Sequence, residues 1–110
     1  MPTSTIIERG GPFRIDAWVT KEGTCPLLEF LKELSKDRPD AMTAFRVAVE
    51  KIHIGGGLPG STEKVRLLNP KQEGIWELKI HKGPGYRFYF FRDGPNRIVL
   101  THGRKKPKDS

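Results

Sequence analysis

The chain has 110 residues and a formal net charge of +7, from 20 Lys and Arg against 13 Asp and Glu. This length allows a single hydrophobic core, so we expect residues 1–110 to form one domain, and the basic excess favours an acidic partner such as nucleic acid. The single cysteine excludes an internal disulfide, and no apolar run is long enough to span a membrane. The start of the sequence has no signal-peptide pattern, so we expect a cytoplasmic protein.

The first half of the chain predicts one strand followed by two helices. Apolar and polar residues alternate over residues 13–19, which is typical of a strand. Thr24 can cap a helix that has Pro26 in its first turn, and apolar residues then recur at helical spacing at Leu27, Phe30, Leu31 and Leu34. A longer helix restarts near Pro39 and ends before the glycines at residues 55–57.

Residues 55–61 are rich in Gly and Pro and predict a loop. The glycines do not form a phosphate-binding loop, because that motif lies between a strand and a helix and ends in Gly-Lys-Ser/Thr. We expect the loop to give reach to Lys64 and Arg66, and a strand to begin at Val65.

Three strand-like runs follow between residues 75 and 106. In the first, alternation puts the apolar side chains on one face and Glu77 and Lys79 on the other. A turn at residues 82–84 would place Lys79 directly opposite Arg87, and facing like charges cost a few tenths to about 1 kcal/mol. A bound phosphate would remove that cost, so we interpret the pair as a phosphate clamp. The alternative is that both side chains extend into solvent.

The last hairpin predicts a row of three candidate side chains. It turns near residues 93–96, and a loop of either two or four residues would pair Arg87 with His102. Lys79, Arg87 and His102 would then lie side by side, with Tyr89 on the same face. We therefore expect an α+β fold in which two helices pack on one face of a twisted, mainly antiparallel sheet of four to five strands. The basic face would be left open.

Five segments of the chain, in this order and spacing, resemble a known family. They are P-L-L-E-F-L-K-E-L at residues 26–34, G-I-W-E-L-K at 74–79, G-Y-R-F-Y-F-F at 85–91, I-V-L-T-H-G at 98–103 and R-K-K at 104–106. Together they resemble the RelE/ParE toxin superfamily, most closely its HigB-like, phage-associated branch, over about residues 24–106. The resemblance implies a RelE-like fold and a toxin of a type II toxin–antitoxin system, of a kind that enters the ribosomal A site and cleaves messenger RNA without a metal.

The resemblance also implies roles for particular residues. Lys79 occupies the family's basic position after Glu-Leu, where Arg is more usual, and Arg87 is the arginine of its Tyr-Arg pair. We expect RNA or ribosome binding from Lys64, Arg66, Tyr89, Arg104, Lys105 and Lys106. Relatives commonly carry an aromatic residue between the glycine and the basic cluster, and many continue into a C-terminal helix. Here Arg104 follows Gly103 directly and the sequence ends at Ser110.

RNA cleavage by internal transfer needs a base, cations that stabilise the transition state, and an acid. Arg87 suits the cationic role because its guanidinium stays protonated and fits phosphate oxygens. Lys79 could assist it or act as base, and His102 could act as acid or base, since imidazole titrates near neutrality. These three are the candidate catalytic residues. The scattered His and the lone Cys predict no metal site, and we expect no cofactor.

The expected partners are messenger RNA, the ribosome and a cognate helix-turn-helix antitoxin, whose complex with the toxin would bind operator DNA. We expect no membrane partner. Two other functions are compatible with the sequence. One is poisoning of DNA gyrase, as in ParE-like members of the superfamily. The other is a noncatalytic module that binds nucleic acid or an antitoxin, which would fit the missing aromatic residue.

Overall fold

The computed structural model describes residues 3–7, 13–54, 65–68 and 74–107. Within these ranges the chain forms six strands and two helices: β1 Thr3–Ile7, β2 Arg14–Trp18, α1 Pro26–Asp37, α2 Pro39–Ile54, β3 Val65–Leu68, β4 Ile75–Ile80, β5 Tyr86–Arg92 and β6 Arg97–Lys105. No helix in this part of the chain is long and apolar enough to cross a membrane.

The strands of the described ranges form one sheet in the order β1-β2-β6-β5-β4-β3. β2 and β6 run parallel, and all other neighbours are antiparallel. The predicted α+β class with a mainly antiparallel sheet is confirmed. The sheet has six strands instead of four to five, because residues 3–7, which precede the first predicted strand, form β1. Its sequence, Thr-Ser-Thr-Ile-Ile, is rich in β-branched residues that favour strands.

The helices begin and end close to the predicted positions, with one correction at the first cap. The N-cap of α1 is Cys25 rather than Thr24, and it makes no side-chain capping bond. Thr24 instead bonds to Thr20, with its amide 3.2 Å and its hydroxyl 2.7 Å from the Thr20 hydroxyl. Pro26 occupies the first helical turn, where its missing N–H is not needed. The single residue Arg38 separates the two helices.

The core lies between the helices and the apolar face of β2, β6, β5 and β4. Phe88 is fully buried at its centre, with its ring centroid 4.4 Å from that of Phe45 on α2 and 5.6 Å from that of Phe30 on α1. Gly103 on β6 lies opposite Phe88. A Cβ at Gly103 would fall 2.6 Å from two Phe88 ring carbons and 2.9 Å from Phe30. The aromatic packing therefore requires glycine at this position.

The predicted pairing of β4 with β5 is confirmed. Lys79 lies opposite Arg87, and Trp76 opposite Phe90, with these two rings stacked at 6.1 Å between centroids. The apolar side chains of this hairpin meet the helices as expected. Those in the core are Leu78, Ile80, Tyr86, Phe88 and Phe90, and Trp76 packs against them.

The predicted pairing of β5 with β6 is wrong by two residues. Arg87 lies opposite Arg104, and His102 lies opposite Tyr89. One residue of the shift comes from the hairpin, where the Asp93 amide donates to the Arg97 carbonyl and leaves a three-residue loop. The other comes from a bulge between Tyr89 and Phe90, at which β6 contains one extra residue. His102 and Arg104 keep their expected face because the shift there is even, whereas Ile98 and Leu100, where the shift is one residue, lie on the opposite face from that register and join the core.

A buried carboxylate joins the parallel pair of strands. Asp16 on β2 is fully buried, 2.5 Å from Arg97 Nε and 3.0 Å from Arg14 Nε, and Arg97 also pairs with Asp93. Burial alone would raise the pKa of the Asp16 carboxyl, but the hydrogen bonds and positive charges of Arg97 and Arg14 outweigh it, so this pKa lies below its ordinary value. The contact with Asp16 in turn raises the pKa of Arg97.

Candidate functional site

Two neighbouring rows of polar side chains cross β4, β5 and β6 on the face opposite the helices. Residues directly opposite each other on adjacent strands point to the same face. The register defines a cationic row, which consists of Lys79, Arg87 and Arg104, and a mixed row, which consists of Glu77, Tyr89 and His102. The predicted row of Lys79, Arg87 and His102 is therefore wrong in one member, because Arg104 takes the place expected for His102.

Arg87 is held by a buried carboxylate. Its Nη1 lies 3.3 Å from Glu77 Oε2, and the exposed side-chain fractions are 12% for Arg87 and 2% for Glu77. A buried carboxylate is strongly disfavoured without such a partner, so this pair fixes the guanidinium over the sheet. Glu77, which alternation placed on the same face as Lys79, thus pairs with Arg87. A guanidinium has five N–H donors, so Arg87 can bind Glu77 and a phosphate oxygen together.

Tyr89 is buried beneath two members of the site. Its ring stacks on that of His102 at 5.0 Å between centroids and 30° between planes, and Arg104 Cζ lies 5.7 Å from the ring centroid. Arg104 Nε also donates a hydrogen bond of 3.1 Å to the Tyr89 hydroxyl. Only 9% of Tyr89 is exposed. Tyr89 was expected to bind RNA, and the structure shows its ring in contact with His102 and Arg104.

His102 is exposed, and its imidazole is held through Thr101. The Thr101 hydroxyl lies 3.0 Å from His102 Nδ1 and donates a 3.2 Å hydrogen bond to the Tyr89 carbonyl. Among the described residues, His102 Nε2 has no hydrogen-bond partner. This nitrogen can therefore reach a substrate.

The remaining predicted residues are placed in different ways. The ammonium of Lys79 makes no ion pair within the described part of the chain, and the residue is half-buried. Lys105 lies opposite Tyr86, so alternation puts it on the other face of the sheet from Arg104. Lys106 lies beyond β6, with its amide bonded to the Gly85 carbonyl at 2.9 Å.

Two predicted binding residues precede β4. Lys64 lies outside the described residues. Arg66 belongs to β3, where its backbone pairs with Glu77, and its side chain is outside the described part of the structure. The backbone thus places Arg66 at the end of the mixed row.

The face that carries both rows is less open than expected. Three of its polar side chains are buried, and each contacts an arginine. Asp16 contacts Arg97, Glu77 contacts Arg87, and Tyr89 contacts Arg104. Long arginine side chains lie along the sheet and shield these groups, as guanidinium stems commonly do. The arginines thereby present fixed N–H donors at the surface, which suits the binding of phosphate groups.

Sequence reasoning missed Thr101 and the place of Arg104. The predicted register put Thr101 opposite Phe88, where the structure has Gly103. The large aromatic residue and the lone glycine were the signal that could have given the correct alignment, since only glycine leaves room for that ring.

Comparison with protein families gives one match. A sequence model described as phage derived protein Gp49-like (DUF891) matches residues 29–110, from the first turns of α1 onward. Comparison with curated proteins gives no significant match. The matched range contains every residue of the cationic and mixed rows. Within the described residues, no group of three or more His, Cys, Asp or Glu could hold a metal ion.

Proposed function

Because the chain belongs to the Gp49-like family of phage-derived proteins, which is part of the broad RelE/ParE-like toxin superfamily, we propose that it is a HigB-like toxin of a type II toxin–antitoxin system. Its activity in this proposal is cleavage of messenger RNA on the ribosome. The family is compatible with this activity, since RelE-like toxins are endoribonucleases.

The observation that carries the proposal is the cationic row beside an exposed imidazole. Lys79, Arg87 and Arg104 lie on three adjacent strands, with His102 in the neighbouring row. Positive groups about 5 Å apart can share the oxygens of one phosphate. Such fixed cations stabilise the charge that develops as a phosphodiester reacts, so the chemistry can proceed without a metal ion.

The reaction would be an internal transfer within the RNA. The 2′-oxygen attacks the adjacent phosphorus as its proton passes to a base, and the bond from phosphorus to the 5′-oxygen breaks. The leaving 5′-oxygen takes a proton, so the products are a 2′,3′-cyclic phosphate and a 5′-hydroxyl. In this proposal Arg87, Lys79 and Arg104 bind the phosphate. The exposed imidazole of His102 can accept or donate a proton, so it is the candidate for proton transfer.

The partners follow from the same proposal. Messenger RNA and the ribosome provide the phosphates for the cationic row, and the net charge of +7 favours their approach. A helix-turn-helix antitoxin would neutralise the toxin in the cytoplasm, and the complex of the two would bind operator DNA.

A second candidate is a noncatalytic module that binds nucleic acid. It is favoured by the ion pair of Arg87 with Glu77, which offsets one positive charge of the row, and by the position of His102 outside that row. Such a module would bind RNA with strong salt dependence and leave it intact.

Primer extension on cellular messenger RNA tests the proposal, with wild-type protein beside Lys79→Ala. We choose Lys79 because replacing Arg87 would remove an ion-pair partner of buried Glu77 and perturb folding. Lys32→Ala is the matched control, since it removes the same charge from the exposed side of α1. Cuts within translated codons that weaken at least about tenfold in Lys79→Ala alone would support the nuclease. Growth arrest without cuts would point to gyrase, and RNA binding without cuts to the noncatalytic module.

A further inference from the structure

The hydrogen bonds around Thr101 determine where the proton sits on His102. The Thr101 hydroxyl donates its single hydrogen to the Tyr89 carbonyl at 3.2 Å. The same oxygen lies 3.0 Å from His102 Nδ1, where it accepts a hydrogen bond if Nδ1 carries a hydrogen. Of the two neutral tautomers, only the Nδ1–H form makes both bonds at once, because in the other form the one hydroxyl hydrogen would have to serve both Nδ1 and the carbonyl. A neutral imidazole has one N–H, so Nε2 holds the free electron pair.

The bulge in β6 creates this arrangement. Tyr89 pairs with His102, whereas the next residue of β5, Phe90, pairs with Leu100, which leaves Thr101 as the extra residue. A regular strand would alternate Thr101 and His102 between opposite faces of the sheet. The bulge instead lets the Thr101 hydroxyl bond to the neighbouring strand and to the ring of the next residue.

A second contact fixes the plane of the imidazole. The His102 ring lies on that of Tyr89, at 5.0 Å between centroids and 30° between planes. Tyr89 is itself buried and bonded to Arg104 through its hydroxyl. The two contacts restrict both rotation of the ring and the choice of tautomer, although His102 itself is exposed.

We propose that Thr101 is a positioning residue that holds His102 in the Nδ1–H tautomer, with Nε2 as the base that accepts the proton of the RNA 2′-hydroxyl. This inference rests on the proposed function for its substrate. As Nε2 takes the proton, the imidazole becomes an imidazolium, and its Nδ1–H remains bonded to the Thr101 oxygen. In this proposal Thr101 acts only through its contact with His102.

Two substitutions test this role. Thr101→Val replaces the hydroxyl with a methyl group of similar size and keeps a residue that favours strands. Thr101→Ser restores a hydroxyl. We expect Thr101→Val to lower the maximal cleavage rate on ribosome-bound messenger RNA about tenfold, with little change in the concentration giving half-maximal rate. Thr101→Ser should recover most of the loss. Because Ser would also restore the hydrogen bond to the Tyr89 carbonyl, the tautomer of His102 is measured separately.

Nitrogen NMR of histidine-labelled protein tests the tautomer without reference to cleavage. The chain has three histidines, and a His102→Gln variant identifies the signals of His102. At a pH where the ring is neutral, we expect the proton of His102 on Nδ1 in the wild type and in Thr101→Ser. In Thr101→Val the population should move toward the Nε2–H form.

The outcomes are distinct. A wild-type proton on Nε2, or a Thr101→Val protein that cleaves as fast as wild type, would overturn the inference. The expected tautomer in a wild-type protein that cleaves no RNA would refute the proposed nuclease and the base role with it, while confirming that Thr101 orients the ring. Circular dichroism of each variant checks that the fold is retained.

Discussion

Gly103→Ala should destabilise the protein more than a methyl group normally would, because the space above Gly103 is already occupied. The added carbon would fall 2.6 Å from two ring carbons of Phe88 and 2.9 Å from Phe30, well inside van der Waals contact. Phe88 is fully buried and packs on Phe45 at 4.4 Å between centroids, so its ring cannot move aside freely. Overpacking of this kind costs about 1–3 kcal/mol, and we expect about 2 kcal/mol here.

Urea unfolding, followed by circular dichroism, measures the effect. A loss of about 2 kcal/mol corresponds to a fall of about 1 M in the midpoint at unchanged slope. In a Phe88→Val background, which removes the ring, Gly103→Ala should cost roughly half as much, because the contact with Phe88 is lost and that with Phe30 remains. An equal cost in both backgrounds, or no cost in the wild type, would show that the Phe88 ring does not limit the space at Gly103. The result bears on the site, since this pairing places Arg104 opposite Arg87.

Three further predictions concern polar groups on the opposite face. Because the pKa of Asp16 is lowered in the folded protein, its charged form stabilises the fold above the ordinary Asp pKa, and this stability is lost as pH falls through the folded pKa. In Asp16→Asn, the melting temperature should therefore fall less steeply with decreasing pH in the acidic range than in the wild type. Tyr89→Phe removes only the hydroxyl that holds Arg104, so RNA affinity, measured by fluorescence anisotropy, should fall about threefold to tenfold. If Tyr89 instead stacked on a base, the affinity would not change, because Phe keeps the ring. Glu77→Gln removes the negative charge that pairs with Arg87, so RNA should bind more tightly. The slope of the logarithm of the binding constant against the logarithm of salt concentration should steepen by somewhat less than about one unit, and an unchanged slope would contradict this.

The helices and the β4–β5 hairpin could be predicted because local signals determine them. The apolar spacing of α1 and α2 marks the buried stripe, and the short turn between β4 and β5 aligns Lys79 with Arg87. Strand alternation then assigned the two faces of this hairpin correctly.

The arrangement of the mixed row was missed because the only signal for it, the fit of the Phe88 ring over Gly103, is a contact between strands and not a local pattern. A bulge carries no turn-like sequence signal, so the extra residue Thr101 was missed and His102 was placed opposite the wrong residue. The burial of Glu77 was also missed, since alternation identifies its face but does not show that Arg87 lies over it. Both errors concern long-range contacts.

Cleavage of messenger RNA on the ribosome by the cationic row and His102 can be measured in a purified translation reaction. A defined messenger RNA is incubated with the protein, with and without ribosomes, and the new ends are mapped. We expect cuts within translated codons that need ribosomes, leave 5′-hydroxyl ends, and weaken with Lys79→Ala and His102→Gln but not with Lys32→Ala. Intact RNA in the presence of folded wild-type protein and translating ribosomes would contradict this expectation.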